Sequence, residues 1–289
     1  VTRQTALVTG GTDGIGKEIA HRLARRGVRV FVVGSGAAKG RFAERALRRE
    51  TANDEIYFLR ADLASMREVH LLVEEIASRC RVLDYLVLSA GVVRGRRILS
   101  AEGIESNFAI GYLSRFVLAR HLSAANILVI NGAAHGGTIY YDDVNLTRNF
   151  ATLRAVSQLC EANDVFVLEF ARRCGVKINA LKVGVVPTGI RRGFPWWMKL
   201  AVPLLDPFLA LTTAQVADRA LEILTDPAFD HTTGALFSLI RKFRQVQPGR
   251  HTSDVKIGEQ LWHLSLSLES KALGGYAVSD SSAMRPSIR

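Results

Sequence analysis

Short apolar runs of strand length alternate with longer stretches in which apolar residues recur every three or four positions, and this alternation fills most of the chain. An unbroken apolar run of four to eight residues suits a buried strand. A period near 3.6 suits a helix with one buried face. Strands are accordingly predicted at Ala6–Thr9, Val28–Val33, Ile56–Leu59, Tyr85–Ser89, Ile127–Ile130 and Lys177–Leu181, with a late one near Ala235–Leu239. Helices are predicted near Ile15–Arg26, Ala38–Glu50, Arg67–Cys80, Ile104–His121 and Leu153–Arg173. Near-continuous apolar strands separated by helices predict an α/β fold with a doubly wound parallel sheet, covered on both faces, whose ligand lies at the carboxyl ends of the strands.

Two regions break this rhythm. Residues 193–211 carry Phe194, Pro195, Trp196, Trp197, Met198, Pro203, Pro207 and Phe208 between two sheet elements. They read as a lid packed over the ligand cleft or as an exposed docking patch for a partner or membrane. After Leu239 the chain turns basic at Arg241, Lys242, Arg244, Arg250 and Lys256, then shows a helical stretch about Glu259–Leu268. A single domain over residues 1–268, containing the lid segment 193–211, followed by a polar C-terminal tail at 269–289, accounts for the pattern.

The richest local signal is Thr5 to Gly16, where an apolar run breaks into Gly10, Gly14 and Gly16 before a helical pattern begins. Glycines there permit positive φ angles and close backbone approach. The following helix aims unpaired N–H groups and the positive end of its dipole at an anion. Such a turn is a phosphate cradle.

Composition narrows the class. The 289 residues are 48% apolar, enough for one full core, and no run of about 18 apolar residues predicts a membrane span. Cys80, Cys160 and Cys174 lack any Cys-x-x-Cys pairing, so neither a disulfide framework nor a metal site is expected, and a reducing compartment follows. A formal net charge of +11 comes from scattered arginines and favours anionic neighbours such as RNA or anionic lipid.

Beyond the turn, several separate positions carry a resemblance: Thr9-Gly10-x-x-x-Gly14-Ile15-Gly16, Asp62-Leu63, Ala90-Gly91, Phe108-Ala109, Ala134-His135, Ala162-Asn163, and Thr188 followed by Ile190. Over about residues 4–265 the sequence resembles the short-chain dehydrogenase/reductase family, in its retinol-dehydrogenase-like branch. The resemblance implies a Rossmann-like fold and a nicotinamide dinucleotide. Thr9, Gly10, Thr12, Asp13, Gly14, Ile15 and Gly16 would form its cradle, with Asp62 and Leu63 at the adenine, Ala90 and Gly91 on the adenosine side, and Thr188 at the nicotinamide amide. The family's Asn-Asn before Ala-Gly is here Leu88-Ser89, and its Pro-Gly is Val183-Gly184. At the end of the second strand Gly34-Ser35-Gly36 offers no carboxylate to repel a 2′-phosphate, and Lys39 and Arg41 follow. NADP is favoured over NAD on that ground, with Ser35 beside it.

The same resemblance implies an Asn, a Ser, a Tyr and a Lys for proton transfer. The matched positions hold Gly111, Gly132, Val156 and Cys160. The residues four after Tyr57, Tyr85, Tyr112, Tyr140, Tyr141 and Tyr276 are Ala61, Ser89, Phe116, Val144, Asn145 and Asp280, so no Tyr-x-x-x-Lys exists. Tyr140, Tyr141, Asp142, Asp143, His135 and Thr138 read as a solvated loop, and Cys160 as a small buried residue. The leading expectation is a catalytically inactive member acting as an accessory subunit of a multisubunit assembly of protein partners, in mitochondria or otherwise in the cytoplasm. Its first alternative is an active NADP-dependent oxidoreductase on a carbonyl or alcohol, using Tyr140, Tyr141 and Lys182. A nucleotide-holding sensor without turnover is the third reading.

Overall fold

The computed structural model describes residues 3–134, 136–184, 186, 211–240 and 242–274. Strand β1 (Thr5–Thr9) leads to α1 (Gly14–Arg25), β2 (Arg29–Gly34), α2 (Ala37–Thr51), β3 (Ile56–Arg60), α3 (Met66–Arg79) and β4 (Leu83–Leu88). Next come α4 (Ser106–Phe108), a π-helical turn over Ala109–Leu113, α5 (Ser114–His121), β5 (Ala124–Gly132), α6 (Thr152–Cys174) and β6 (Lys177–Val183). The described chain closes with α7 (Thr213–Thr225), β7 (Ala235–Leu239), β8 (Phe243–Val246) and α8 (Val255–Ala272).

These strands form one sheet in the order β3-β2-β1-β4-β5-β6-β7-β8. Every neighbouring pair through β7 is parallel, so the doubly wound expectation holds. The last pair departs from it. β7 and β8 are antiparallel, with Phe237 opposite Gln245, because only residues 240–242 separate them and a parallel return needs a crossover of a dozen residues or more.

Side-chain alternation along the strands divides the core between the two faces of the sheet. Val8, Val30, Val87 and Leu128 face Ile19 and Leu23 of α1 and Val216 and Ala220 of α7. Leu7, Phe31, Leu86 and Val129 face the opposite layer, where α3, α5, α6 and α8 contribute Val69, Phe116, Phe166 and Trp262. α7 has no counterpart among the predicted helices, although Thr212 and Gln215 form a reciprocal capping box at its start. α8 runs to Ala272, past the expected domain end at 268. The expected lid at 193–211 lies outside the described residues apart from Leu211, as do Thr188, Ile190, His135 and the tail beyond Gly274. Among the described residues no helix is long and apolar enough to cross a membrane.

Candidate active site

The carboxyl ends of β1, β2, β4, β5 and β6 open into a cleft of about 570 Å³, within the range of small-molecule sites. It straddles β1 and β4, where the strand order reverses, which is where open α/β sheets bind ligands. The glycine turn forms one end. Gly10 and Gly14 sit at φ +68° and +53°, a region that penalises any Cβ. A Cβ on Gly10 would stand 2.9 Å from Ala90 Cα, and one on Gly16 would stand 2.5 Å from Gly10 O. The turn is therefore folded against the end of β4 and against itself, with the first residues of α1 facing the cleft.

Most residues expected at a dinucleotide line this cleft: Gly10, Thr12, Asp13, Gly14, Ile15, Gly16, Ser35, Asp62, Leu63, Ala90 and Gly91. Thr9 does not. Its hydroxyl accepts from Ser89 N at 3.0 Å and Ala90 N at 3.2 Å and donates to Val87 O, so it is a strut between β1 and β4. Asp62 Oδ1 accepts from Ala64 N at 3.0 Å and shapes its own loop. Asp13 caps α1 through Gly14 N and pairs with Lys39 Nζ at 2.5 Å. Lys39 lines the cleft beside Ser35, whereas Arg41 is exposed and lies outside the lining.

At the opposite end Gly132, Val156 and Cys160 line the cleft together, and Gly111 does not. A Cβ on Gly111 would meet Leu159 Cδ1 at 2.8 Å, and one on Gly132 would meet Cys160 Sγ at 2.7 Å. Glycine at 132 is thus matched to the sulfur opposite. Burial, and then the Asp164 carboxylate, push the Cys160 thiol up to about 11. Behind it Asn131 Nδ2 donates to Cys160 O at 2.9 Å and Asp164 Oδ1 at 2.8 Å, while Lys182 Nζ pairs with Asp164 and donates to Ala134 O at 3.2 Å.

The tyrosines expected to serve an active enzyme are elsewhere. Tyr141 Oη donates to Ile257 O at 3.2 Å, and burial pushes its phenol up to about 12. Tyr140 lies under the Arg154 guanidinium. Neither lines the cleft, and Lys182 is locked in its buried pair. Asp143 accepts from Thr147 N and Arg148 N and holds its own loop together. Sequence reading overlooked Arg115, which lines the cleft from α5 and is oriented from α6 by Asn163, a residue noted in sequence only as part of the resemblance. An arginine at mid-pattern in Ile104–His121, which also holds Arg120 near its end, was the available signal.

A family model described as short chain dehydrogenase matches residues 4–140. Polyprenol dehydrogenase of Homo sapiens is 27% identical over 91% of this chain and 84% of its own length. Retinol dehydrogenase 12 of Mus musculus is 27% identical over 92% and 86%. A protein of Streptomyces sp. (strain C5) named as a daunorubicin C-13 ketoreductase is 30% identical over 91% of both chains. Among solved structures, an uncharacterized protein from Mycobacterium Paratuberculosis superposes with a TM-score of 0.74 at 22% identity, covering 93% of this chain and 94% of that one. A short chain dehydrogenase from Burkholderia cenocepacia in complex with NADP gives 0.64 at 20%, covering 82% and 96%. The expectation of a catalytically silent accessory subunit is overturned here, because these relatives, matched over nine-tenths of the chain, are named as oxidoreductases. With the fold, the glycine turn and a relative 30% identical along nearly its whole length in agreement, the chain belongs to the short-chain dehydrogenase/reductase family.

Proposed function

We propose that the protein is an NADP(H)-dependent oxidoreductase interconverting an apolar alcohol and its carbonyl compound. One observation carries the reading: a single cleft at the strand-order reversal joins a glycine cradle to an apolar end built from Ile130, Val156, Leu159 and Val186 around Cys160. The cradle fits a dinucleotide: its glycines let the turn pack tightly against Ala90 and itself, and the first residues of α1 line the cleft, where a helix N-terminus suits a pyrophosphate. Lys39 faces the cleft beside Ser35, and no carboxylate stands at Gly34-Ser35-Gly36. Its ammonium would exchange Asp13 for a 2′-phosphate, which supports NADP over NAD. The relatives named for retinol, polyprenol and daunorubicin support an apolar substrate.

The bound dinucleotide would supply a hydride to the carbonyl carbon, and the protein must supply the proton for oxygen. Val156 has none to give. Cys160, one helical turn along α6, holds its proton at neutral pH because burial raises the thiol. We assign the proton to Cys160 Sγ: it moves to the substrate oxygen, and the thiolate left behind, which burial and the Asp164 carboxylate disfavour and the Lys182 and Arg115 charges only partly offset, takes its proton back from solvent. The test is NADPH consumption against a panel of hydrophobic aldehydes and ketones. Turnover faster with NADPH than NADH is expected, and Cys160→Ala should lower kcat about 10²–10⁴-fold with NADPH binding retained. Wild-type protein that binds NADPH but reduces no carbonyl would sink the proposal, and an unchanged kcat in Cys160→Ala would remove the cysteine from it.

A further inference from the structure

Arg115 is a buried cation without a buried anion. Its residue is 4% exposed, yet it lines the cleft. Nη1 donates to Asn163 Oδ1 at 3.1 Å and Nη2 to Ala90 O at 2.8 Å, both neutral acceptors, and the buried Nε has no partner. Among the described residues its electrostatic neighbour is the Cys160 thiol rather than a carboxylate. Withdrawing a guanidinium from water costs several kcal/mol, and two neutral acceptors offset only part of that. Burial drags the group down to about 10, so at neutral pH it still carries its charge.

Its position says what would complete its shell. Ala90, which accepts Nη2, is the residue against which Gly10 packs, so the guanidinium stands one residue from the phosphate cradle. Asn163 and Cys160 flank it from α6. Asn163 has no freedom to turn away, because Nδ2 donates to Gly111 O at 2.9 Å and Leu159 O at 2.8 Å, which fixes Oδ1 toward Arg115. The cation is thus held between the cradle and the Cys160 end, where the middle of an extended dinucleotide must pass. We propose that Arg115 binds the sugar–phosphate oxygens of the dinucleotide on its nicotinamide side, an inference that rests on the cofactor reading above. A planar, multi-donor guanidinium suits such clustered acceptors.

The experiment titrates NADPH and 2′,5′-ADP, which lacks the nicotinamide side, into wild-type protein and the Arg115→Met and Arg115→Lys variants, with thermal melting of each in the absence of ligand. Arg115→Met should weaken NADPH about 10- to 100-fold, the effect of losing charge-assisted hydrogen bonds, and leave 2′,5′-ADP within twofold. Arg115→Lys should recover part of the loss and covers the case in which the methionine variant fails to fold. Without ligand, Arg115→Met should melt at or above the wild-type temperature, since an unpaired buried charge has been removed. Equal NADPH affinity in wild type and Arg115→Met would overturn the proposal. So would equal weakening of both ligands with a lower melting temperature, the mark of a structural strut. Wild-type protein that takes up neither ligand would instead overturn the cofactor reading on which this one stands.

Discussion

An alanine at residue 16 would set its Cβ 2.5 Å from Gly10 O, a backbone oxygen of a residue already at φ +68°. No side chain can swing aside to relieve that contact, so the turn itself must move. Gly16→Ala should cost about 1–3 kcal/mol of stability and abolish measurable NADPH binding, checked by urea unfolding and titration. Gly27 is the matched control, at φ +79° with nothing within 4 Å of its would-be Cβ. Gly27→Ala should lose about 1–2 kcal/mol from the left-handed backbone alone and bind NADPH normally. If both variants bind alike, the cradle is not where the ligand sits. The contrast also explains which residues the sequence could reveal. A glycine turn announces itself because its requirement is local, whereas Arg115 draws its meaning from Ala90 and Asn163, 25 and 48 residues away. Thr9 misleads for the same reason. It sits inside the fingerprint, but its hydroxyl is spent on the end of β4.

Helix α8 shows the same problem one level up. Its helical pattern made a helix about Glu259–Leu268 readable, but its start at Val255 after the Asp254 cap and what fastens it to the molecule were not. Glu269 is fully buried, and its Oε1 accepts from His70 Nε2 of α3 at 2.8 Å and His121 Nε2 of α5 at 2.7 Å, while Arg120 Nη2 reaches Oε2 at 3.1 Å. Burial alone would push this carboxyl up. The hydrogen bonds from His121 and His70 and the Arg120 charge overcome it and hold the group at about 2, below the ordinary 4.5. Because the folded value is depressed, the clasp stabilises fully above pH 4.5 and fades as the pH falls from there toward 2. Glu269→Gln should therefore unfold about 3 kcal/mol more easily than wild type at pH 7, with the gap narrowing below pH 4.5. Denaturant melts at both ends of that range check it, and a pH-independent gap would mean that packing rather than charge holds α8. Three helices meet at one carboxylate, and no periodicity within any of them foretells it. β8 was hidden differently. Phe243-Arg244-Gln245-Val246 alternates apolar ends with polar middles, as an edge strand does, but four residues are too few to separate from a basic loop by pattern.

At the scale of the molecule, the cleft and both cores share one sheet. β1 lies between β2 and β4, with Leu7 in one core and Val8 in the other, and its last residue leads into the glycine turn. A ligand that fixes the turn therefore restrains the strand on which both layers are built, and the described chain offers no seam at which one layer could melt alone. Heat unfolding should be a single transition that NADPH moves as a whole. Ligand at a hundred times its Kd adds about 2.7 kcal/mol to the folded state, and for a chain of this size each kcal/mol shifts the midpoint by roughly 2 °C, so a rise of about 5 °C is expected. Amide exchange should slow most at the carboxyl ends of β1, β2 and β4 and least at the β7–β8 edge, which lies at the far side of the sheet from the cradle. A shift confined to one of two resolved transitions would show that the layers are energetically separate. In that case the central position of β1 would not couple the cofactor site to the whole fold.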